Sequence, residues 1–505
     1  MEVPMRLFYL VQLVSLILIA GFCAGSTSAF DFSQLENSVI EHTLPNGLKI
    51  IILERHDAPV VSFNTFADVG SVDDPKGYTG IAHMFEHMAF KGTTTFGTKD
   101  YAKEKELIKV EDSIFMELRD ERTKGMFADS AKIEKLTKSY EAAREASYSL
   151  VEPNAFGTTI SREGGVGLNA GTSSDWTSYF CNLPSNRVEL WMALESERFL
   201  NPVLREMYKE RDVVAEERRM RTESNPIGRM IEQFLGLGFV AHPYGVPGVG
   251  HMSDIQYYSR KEAKAFFEKY YGPSNLTVAI VGDINAKDVI KMAEKYWGRI
   301  LYRQKPSRIA TVEPPQNGER RMEMEDPSQP VFLAGWHIPE ITHPDRPALD
   351  AMLDYLAGGR TSLLYKKLIK DKKMAAQATG FAGFPGDKYP TMALLYAIPA
   401  PKISNYECEK EIFGEVERLK KELIPAEEVE KIKARAKASF TSGLTSNNGL
   451  AFQLASYQTT WGNWREMFRQ LEHINSVTPE DIQRVAKQYF TKNNRTVVLM
   501  NTIES

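Results

Sequence analysis

The stretch that organises this chain reads Gly80-Ile81-Ala82-His83-Met84-Phe85-Glu86-His87-Met88-Ala89-Phe90. Two histidines four positions apart project from the same face of a helix. Glu86 follows His83 by three positions and precedes His87, so the three polar side chains can converge. The other residues of the stretch are apolar, which predicts a buried helix. The segment therefore brings two imidazoles and a carboxylate together on a buried element.

The spacing H-x-x-E-H is an inverted zinc-binding signature. Two imidazoles one helical turn apart can occupy adjacent corners of a tetrahedron around Zn²⁺. A neighbouring carboxylate that does not bind the metal can accept a proton from zinc-held water, whose pKa falls to about 7. We predict that His83 and His87 bind one Zn²⁺ per chain and that Glu86 is the general base. Ordinary hydrogen-bonded histidines are the alternative, which is disfavoured because histidine is scarce, nine in 505 residues.

Residues 1–29 have the pattern of a secretory signal peptide. Arg6 precedes an apolar run over residues 7–23, and small residues follow as far as Ala29. We predict cleavage before Phe30 and an exported protein, periplasmic or secreted. An uncleaved N-terminal anchor is the alternative, because the run is slightly long for a cleaved signal. No later stretch is long and apolar enough to predict a membrane span.

The composition is that of a globular protein, with 43% apolar residues and 25% charged residues. A formal net charge of −4 argues against nucleic acid as the main partner. Only Cys181 and Cys408 remain after the predicted cleavage, so no disulfide scaffold is expected. The length of the chain predicts more than one domain.

An internal repeat predicts how the chain is divided. The segment 265–278 has a counterpart at 485–498, in which Asn275 and Asn494 occupy equivalent positions. Both segments predict a helix, a turn and a buried strand. We therefore infer an α+β fold of two related tandem domains, each a mostly antiparallel sheet covered by helices.

Composition shifts predict the boundaries of these domains. Residues 301–320 are rich in proline and poor in apolar residues, which predicts a linker between a catalytic domain at 30–300 and a related domain without metal at 321–505. Residues 98–157 are densely charged and predict an inserted pair of exposed helices that turn near Lys124. A solvated face is the usual explanation of such a run, and a partner-binding surface is the alternative.

A glycine-rich hairpin follows the insertion. Residues 164–172 and 176–181 predict paired strands. Glycine allows close backbone approach, which suits an edge that accepts an extended peptide by strand addition. A hairpin without function is the alternative.

An acidic helix is predicted over residues 204–223. Seven residues make nearly two turns, so Glu210 and Glu217 share a face, whereas Glu216 points about a quarter-turn away. One of these carboxylates could be the third zinc ligand, although acidic residues on such a helix are usually solvated.

These residues resemble the pitrilysin-type zinc peptidases, the insulinase and mitochondrial processing peptidase-like family, over nearly the whole mature chain. The resemblance implies a metalloendopeptidase with Glu217 as the third ligand, seven residues after a supporting glutamate at Glu210. It also implies that Asn169 and Ala170 lie on an edge strand that binds the peptide backbone. The motifs that carry the resemblance are Leu44-Pro45-Asn46-Gly47-Leu48, the H-x-x-E-H stretch, Asn169-Ala170 with Thr177 and Tyr179, Glu210 to Glu217, and Tyr271-Gly272-Pro273-Ser274-Asn275-Leu276.

The chain departs from the family pattern at two places. His87 and Glu217 are 130 positions apart, more than is usual, and the excess lies in the charged insertion. The family usually places an arginine and, seven residues later, a tyrosine in the C-terminal half, where they contact substrate and the developing oxyanion. Here Ile369 and Ala376 stand at those positions and cannot donate a side-chain hydrogen bond. We predict that a homologous second subunit supplies the pair in a heterodimer, or else that a homodimer forms; a non-catalytic structural or peptide-binding subunit is the competing hypothesis.

Overall fold

The computed structural model describes residues 32–503. The predicted signal peptide lies outside these residues. The chain divides into two compact units, Met1–Ser38 and Val39–Ser505. In the first unit, helix α1 comprises Phe32–Ser38. None of the helices described combines the length and the apolar character needed to cross a bilayer.

The N-terminal half of the second unit contains a six-stranded sheet. Its strands are β1 (Ile40–Thr43), β2 (Lys49–Glu54), β3 (Val60–Ala67), β4 (Val166–Thr172), β5 (Thr177–Pro184) and β6 (Leu276–Gly282). The strand order is β1-β2-β6-β3-β5-β4. Only β2 and β6 pair in parallel within this sheet. Strand β4 is therefore an edge strand, as the glycine-rich sequence predicts.

The C-terminal half contains a five-stranded sheet with the same topology. Its strands are β7 (Arg320–Asp326), β8 (Val331–Ile338), β9 (Ala375–Phe384), β10 (Thr391–Pro399) and β11 (Arg495–Thr502). The order β7-β11-β8-β10-β9 repeats the order β2-β6-β3-β5-β4, and β7 and β11 are again the parallel pair. Two related α+β units in tandem are thus confirmed.

The repeated asparagines have the same structural role in both halves. Asn275 Nδ2 donates to the carbonyl of Tyr270 at 2.8 Å, and Asn494 Nδ2 donates to that of Tyr489 at 2.7 Å. Each asparagine thereby closes the turn between the last helix and the last strand of its half. Residues 301–319 form no helix or strand, as expected of a linker. The domain limits themselves remain predictions.

Helices cover both sheets. Helix α15 (Asn447–Trp461) of the C-terminal half also packs on the first sheet, where the ring of Phe452 lies 5.3 Å from that of Phe66 on β3. The remaining helices are α2 (Ile81–Met88), α3 (Tyr101–Arg122), α4 (Ser130–Tyr148), α5 (Ala155–Arg162), α6 (Val188–Leu200), α7 (Met207–Arg218), α8 (Pro226–Gly238), α9 (Met252–Tyr257), α10 (Arg260–Tyr270), α11 (Ala286–Tyr296), α12 (Arg346–Ala357), α13 (Asn405–Lys421), α14 (Ala426–Gly443), α16 (Glu466–Asn475) and α17 (Pro479–Tyr489). Cys181 and Cys408 are both buried and free.

The charged insertion forms a hairpin of α3 and α4. A bridge between Thr98 and Val151 closes its base. The expectation that both helices are exposed is wrong for one face, because the rings of Phe115 and Tyr140 pack against Tyr208 of α7 at 4.4 and 5.8 Å. The sparse apolar residues of the insertion are therefore an attachment surface, and the charged residues cover its solvent side.

Candidate active site

The helix with the H-x-x-E-H pattern has a fixed start. The carboxylate of Asp74 accepts hydrogen bonds from the backbone N–H groups of Gly80 at 2.6 Å and Ala82 at 2.9 Å. Gly80 has φ 86° and lies against the backbone of Val249, where a Cβ would be only 2.4 Å from the carbonyl oxygen. Glycine is therefore required there. These constraints orient α2 and with it the two histidines.

The third predicted ligand comes from α7, which runs beside α2. Glu217 Oε2 lies 3.6 Å from His83 Nε2 and 3.4 Å from His87 Nε2. One donor atom from each of the three residues lies within 4.8 Å of the others. Glu216 is exposed on the other side of the helix, as its helical phase predicts. The structure thus brings together His87 and Glu217, which are 130 positions apart in the sequence.

The three donors fit a zinc ion. Zn–N and Zn–O bonds of about 2.0–2.2 Å imply about 3.3 Å between donors at the corners of a tetrahedron. The observed separations from Glu217 to the two histidines are close to this value. Within residues 32–503, no other group of three histidine, cysteine or acidic side chains has this arrangement. The fourth corner would be available for water or substrate.

Glu210 contacts the opposite side of the His87 ring. Its Oε2 lies 3.4 Å from His87 Nδ1, and its Oε1 lies 2.6 Å from Lys91 Nζ. A carboxylate at Nδ1 fixes the tautomer and the ring orientation, so that Nε2 faces the metal position. The supporting role that the family resemblance implies for Glu210 matches this geometry.

Charge interactions connect the residues of the site. Burial lowers the pKa of His83. Burial also opposes a charged ring in His87, but contacts with Glu210 and Glu217 outweigh it and raise the pKa of His87 to about 9. The contact with His87 lowers the pKa of Glu217, and His87 and Lys91 together overcome burial to lower that of Glu210. Both carboxylates are therefore ionised at neutral pH, whereas His87 would have to release a proton in order to bind a metal.

A cavity of about 360 Å³ connects this site to the edge strand. Glu86 and His87 line one side, and Asn169 of β4 lines another. Ala170, in contrast, is buried in the sheet and does not line the cavity. Lys91 and Asn154 also line the cavity but were not predicted from the sequence. Lys91 could have been predicted, because it follows His87 by four positions, which is the spacing of one helical turn. The cavity is lined by Glu86, His87, Phe90, Lys91, Asn154, Leu168, Asn169 and Glu210.

The two positions at which the family usually has an arginine and a tyrosine lie in the C-terminal half of this chain. Ile369 is half-buried in the π-helical segment Tyr365–Asp371. Ala376 is exposed on β9, the edge strand that corresponds to β4 in the repeat. Neither side chain can stabilise an oxyanion.

We expect Glu210→Ala to weaken zinc binding by about 10-fold to 100-fold, because the His87 ring loses the carboxylate that orients it. Competition with a chromophoric chelator measures this affinity. Glu216→Ala is the matched control, since it removes an exposed carboxylate from the same helix. If Glu210→Ala bound zinc with an affinity within about twofold of wild type, Glu210 would not be needed to orient His87.

Known proteases are similar to this chain over most of its length. Residues 49–117 match the family model described as Insulinase (Peptidase family M16), and residues 257–436 match the model described as Peptidase M16 inactive domain. Zinc protease PqqE of Helicobacter pylori is 30% identical over 468 residues, which are 91% of each chain. A crystal structure of a protease from Helicobacter pylori superposes with a TM-score of 0.76 and 28% identity over 92% of this chain and 99% of that one. The periplasmic protease PqqL of Escherichia coli, at 16% identity and a TM-score of 0.68, shares the fold over 92% of this chain and 47% of its own.

Proposed function

Because the chain belongs to peptidase family M16, we propose that it is a zinc-dependent endopeptidase that cleaves peptides or unfolded polypeptide segments. One observation carries the proposal: the donors of His83, His87 and Glu217 converge within 4.8 Å beside a cavity that Glu86 lines. A purely architectural subunit has no need of this set. The predicted leader adds the proposal of an exported compartment, periplasmic or secreted.

The residues of the site have distinct roles in this proposal. His83, His87 and Glu217 would hold one Zn²⁺, and Glu210 would keep His87 in its binding orientation. Bound zinc would supply Lewis acidity, which polarises a peptide carbonyl and lowers the pKa of water to about 7. Glu86 would accept the proton of the attacking water on its carboxylate and return it to the leaving amine nitrogen.

Strand β4 would bind the substrate. It pairs with β5 on one side only, so its outer backbone groups can pair with an extended peptide. Asn169 lies both on this strand and on the cavity wall, which brings a peptide bond near Glu86. We propose that Asn169 and Ala170 bind the peptide through their backbone, while the Ala170 side chain stays in the sheet.

A homologous second subunit would complete the site. Ile369 and Ala376 leave the developing oxyanion without the donors that the family usually provides. The match of this chain to 47% of PqqL supports a pairing of two such halves. A homodimer is the alternative arrangement.

We expect the purified chain to contain zinc but to hydrolyse a quenched fluorescent peptide slowly, and the addition of a co-purifying homologue to raise kcat by about 100-fold. Metal analysis and the fluorescence assay measure both quantities. The homologue alone is the control and should be inactive. Equal activity of the lone chain and the pair would refute the two-subunit proposal. Hydrolysis by neither, with zinc bound, would favour a non-catalytic subunit.

A further inference from the structure

A second cavity lies between the inserted hairpin and the body of the N-terminal half. Its volume is about 340 Å³. Helix α3 contributes Tyr101, Lys105 and Ile108, and the opposite walls come from residues 200–204 and from α10. This cavity shares no lining residue with the one beside the zinc ligands. The hairpin thus creates a pocket for which the proposed hydrolysis has no use.

Basic residues predominate among the charged side chains of the lining. Of its charged side chains, Lys105, Arg260, Lys264 and Arg303 are basic and only Glu268 is acidic. Arg260 pairs with Glu111 and Asp112, and Lys264 lies 3.8 Å from Glu268.

Two of these cations lie outside the salt bridges of the described residues, and Lys105 interacts at longer range with its exposed neighbour Glu106. Neither Lys105 nor Arg303 forms a salt bridge with any residue in the described part of the chain. The Nη1 atom of Arg303 is enclosed and has no hydrogen-bond partner. The positive charges of Lys105 and Arg303 would favour an anion in the cavity.

Most of the uncharged lining residues are apolar. Ile108, Val203, Leu204 and Phe267 contribute hydrocarbon surface, and the guanidinium of Arg303 lies 5.7 Å from the centre of the Phe267 ring. A volume of this size and a few polar groups on an apolar wall are typical of a small-molecule site. The combination suits a ligand that has an anionic end and an apolar end.

We propose that this cavity binds a monocarboxylate with an apolar group about as large as a phenylalanine side chain. Lys105 and Arg303 pair with the carboxylate, and Ile108 and Phe267 contact the apolar group. The C-terminal residue of a peptide and a medium-chain fatty acid both have this chemistry. The site does not depend on the metal or on the proposed hydrolysis.

Isothermal titration calorimetry of the whole chain with N-acetyl-phenylalanine and with octanoate tests the proposal. The uncharged control is N-acetyl-phenylalanine amide, which keeps the same ring. We expect the acid to bind about tenfold or more tightly than the amide, and equally to the zinc-loaded and the chelator-treated protein. The tighter of the two acids identifies the source of the natural ligand. Equal binding of acid and amide, no detectable binding of either acid, or binding only to the zinc-loaded protein would overturn the proposal.

Variants locate the binding. We expect Lys105→Ala with Arg303→Ala to weaken acid binding by about tenfold or more. Lys103→Ala is the matched control, because it removes a lysine from α3 that does not line the cavity, and it should bind as wild type does. If the double variant does not fold, Lys105→Ala alone still tests the site, because Lys105 is exposed and its replacement should not affect folding. Wild-type affinity in both Lys105 variants would refute the site.

Discussion

Replacement of Glu86 with glutamine should lower kcat/KM for a peptide by about 10³-fold while zinc stays bound. Glutamine has the shape of glutamate but cannot accept a proton at neutral pH. Because Glu86 lines the cavity and is not one of the three converging donors, its loss should remove proton transfer and spare the metal. Hydrolysis of a quenched fluorescent peptide by the chain together with its partner subunit measures the rate, and metal analysis measures the bound zinc.

Glu216→Gln is the matched control for this experiment. It makes the same chemical change one residue from a proposed ligand, but the side chain is exposed and points away from the site. We expect its activity to be within about twofold of wild type. Full activity of Glu86→Gln would exclude Glu86 as the base. Loss of zinc from that variant would show that Glu86 binds the metal, which contradicts the assignment of Glu217 as the third ligand.

The local part of the site could be predicted because a helix determines its own geometry. His83, Glu86 and His87 lie within two turns, so their relative positions follow from 3.6 residues per turn. The same rule placed Glu210 and Glu217 on one face of α7 and Glu216 on another, as the structure shows. Periodicity therefore defined which side chains can act together on each helix.

The relation between the two helices could not be predicted from periodicity. Nothing in the spacing of α2 and α7 says which carboxylate faces the histidines, and only the family resemblance selected Glu217. The register depends on packing over a long sequence separation, including contacts of Arg205 with the residues that follow α2. The cavity residue Asn154 was missed for the same reason.

The fold also has features that local sequence predicts and features that depend on contacts between distant residues. The offset between Asn275 and Asn494 predicted two related units, because each asparagine makes a local turn contact that sequence alone can indicate. Strand order and the packing of α15 on the opposite half depend on contacts between distant residues. The charged insertion was expected to be exposed because its few apolar residues, such as Phe115, gave no sign of their partner on α7.

Arg205 joins the elements that carry the proposed zinc ligands, and its replacement with methionine should have the largest effect on stability. The side chain is 1% exposed and forms a buried ion pair with Glu104 of α3 at 2.7 and 3.0 Å. It also donates to the carbonyls of Lys91 and Thr93, which follow α2, at 2.7 and 2.8 Å. Arg205 itself lies two residues before α7, so one guanidinium connects the hairpin, the end of α2 and the start of α7.

Arg205→Met should therefore lower the free energy of unfolding by about 3–5 kcal/mol, because Glu104 is left as a buried charge without a partner. In the protein that remains folded, zinc affinity should fall by about tenfold or more, since the two helices lose their common anchor. Urea unfolding and chelator competition measure the two effects. Adding Glu104→Leu should restore part of the stability, because it removes the unpaired charge, but not the zinc affinity.

Arg346→Met separates a loss of alignment from a general loss of stability. Arg346 is also buried, in the C-terminal half, and pairs with Asp350 at 2.8 Å and Asp387 at 2.6 Å. Its replacement should destabilise the protein by less than Arg205→Met does, because Asp350 and Asp387 are partly exposed to solvent. It should leave zinc affinity unchanged, because Arg346 contacts neither α2 nor α7. If both arginine variants weakened zinc binding equally, the effect would be one of global stability. If Arg205→Met kept wild-type zinc affinity, the alignment of α2 and α7 would have to come from contacts other than this guanidinium, with the aromatic cluster of Phe115, Tyr140 and Tyr208 as the next to test.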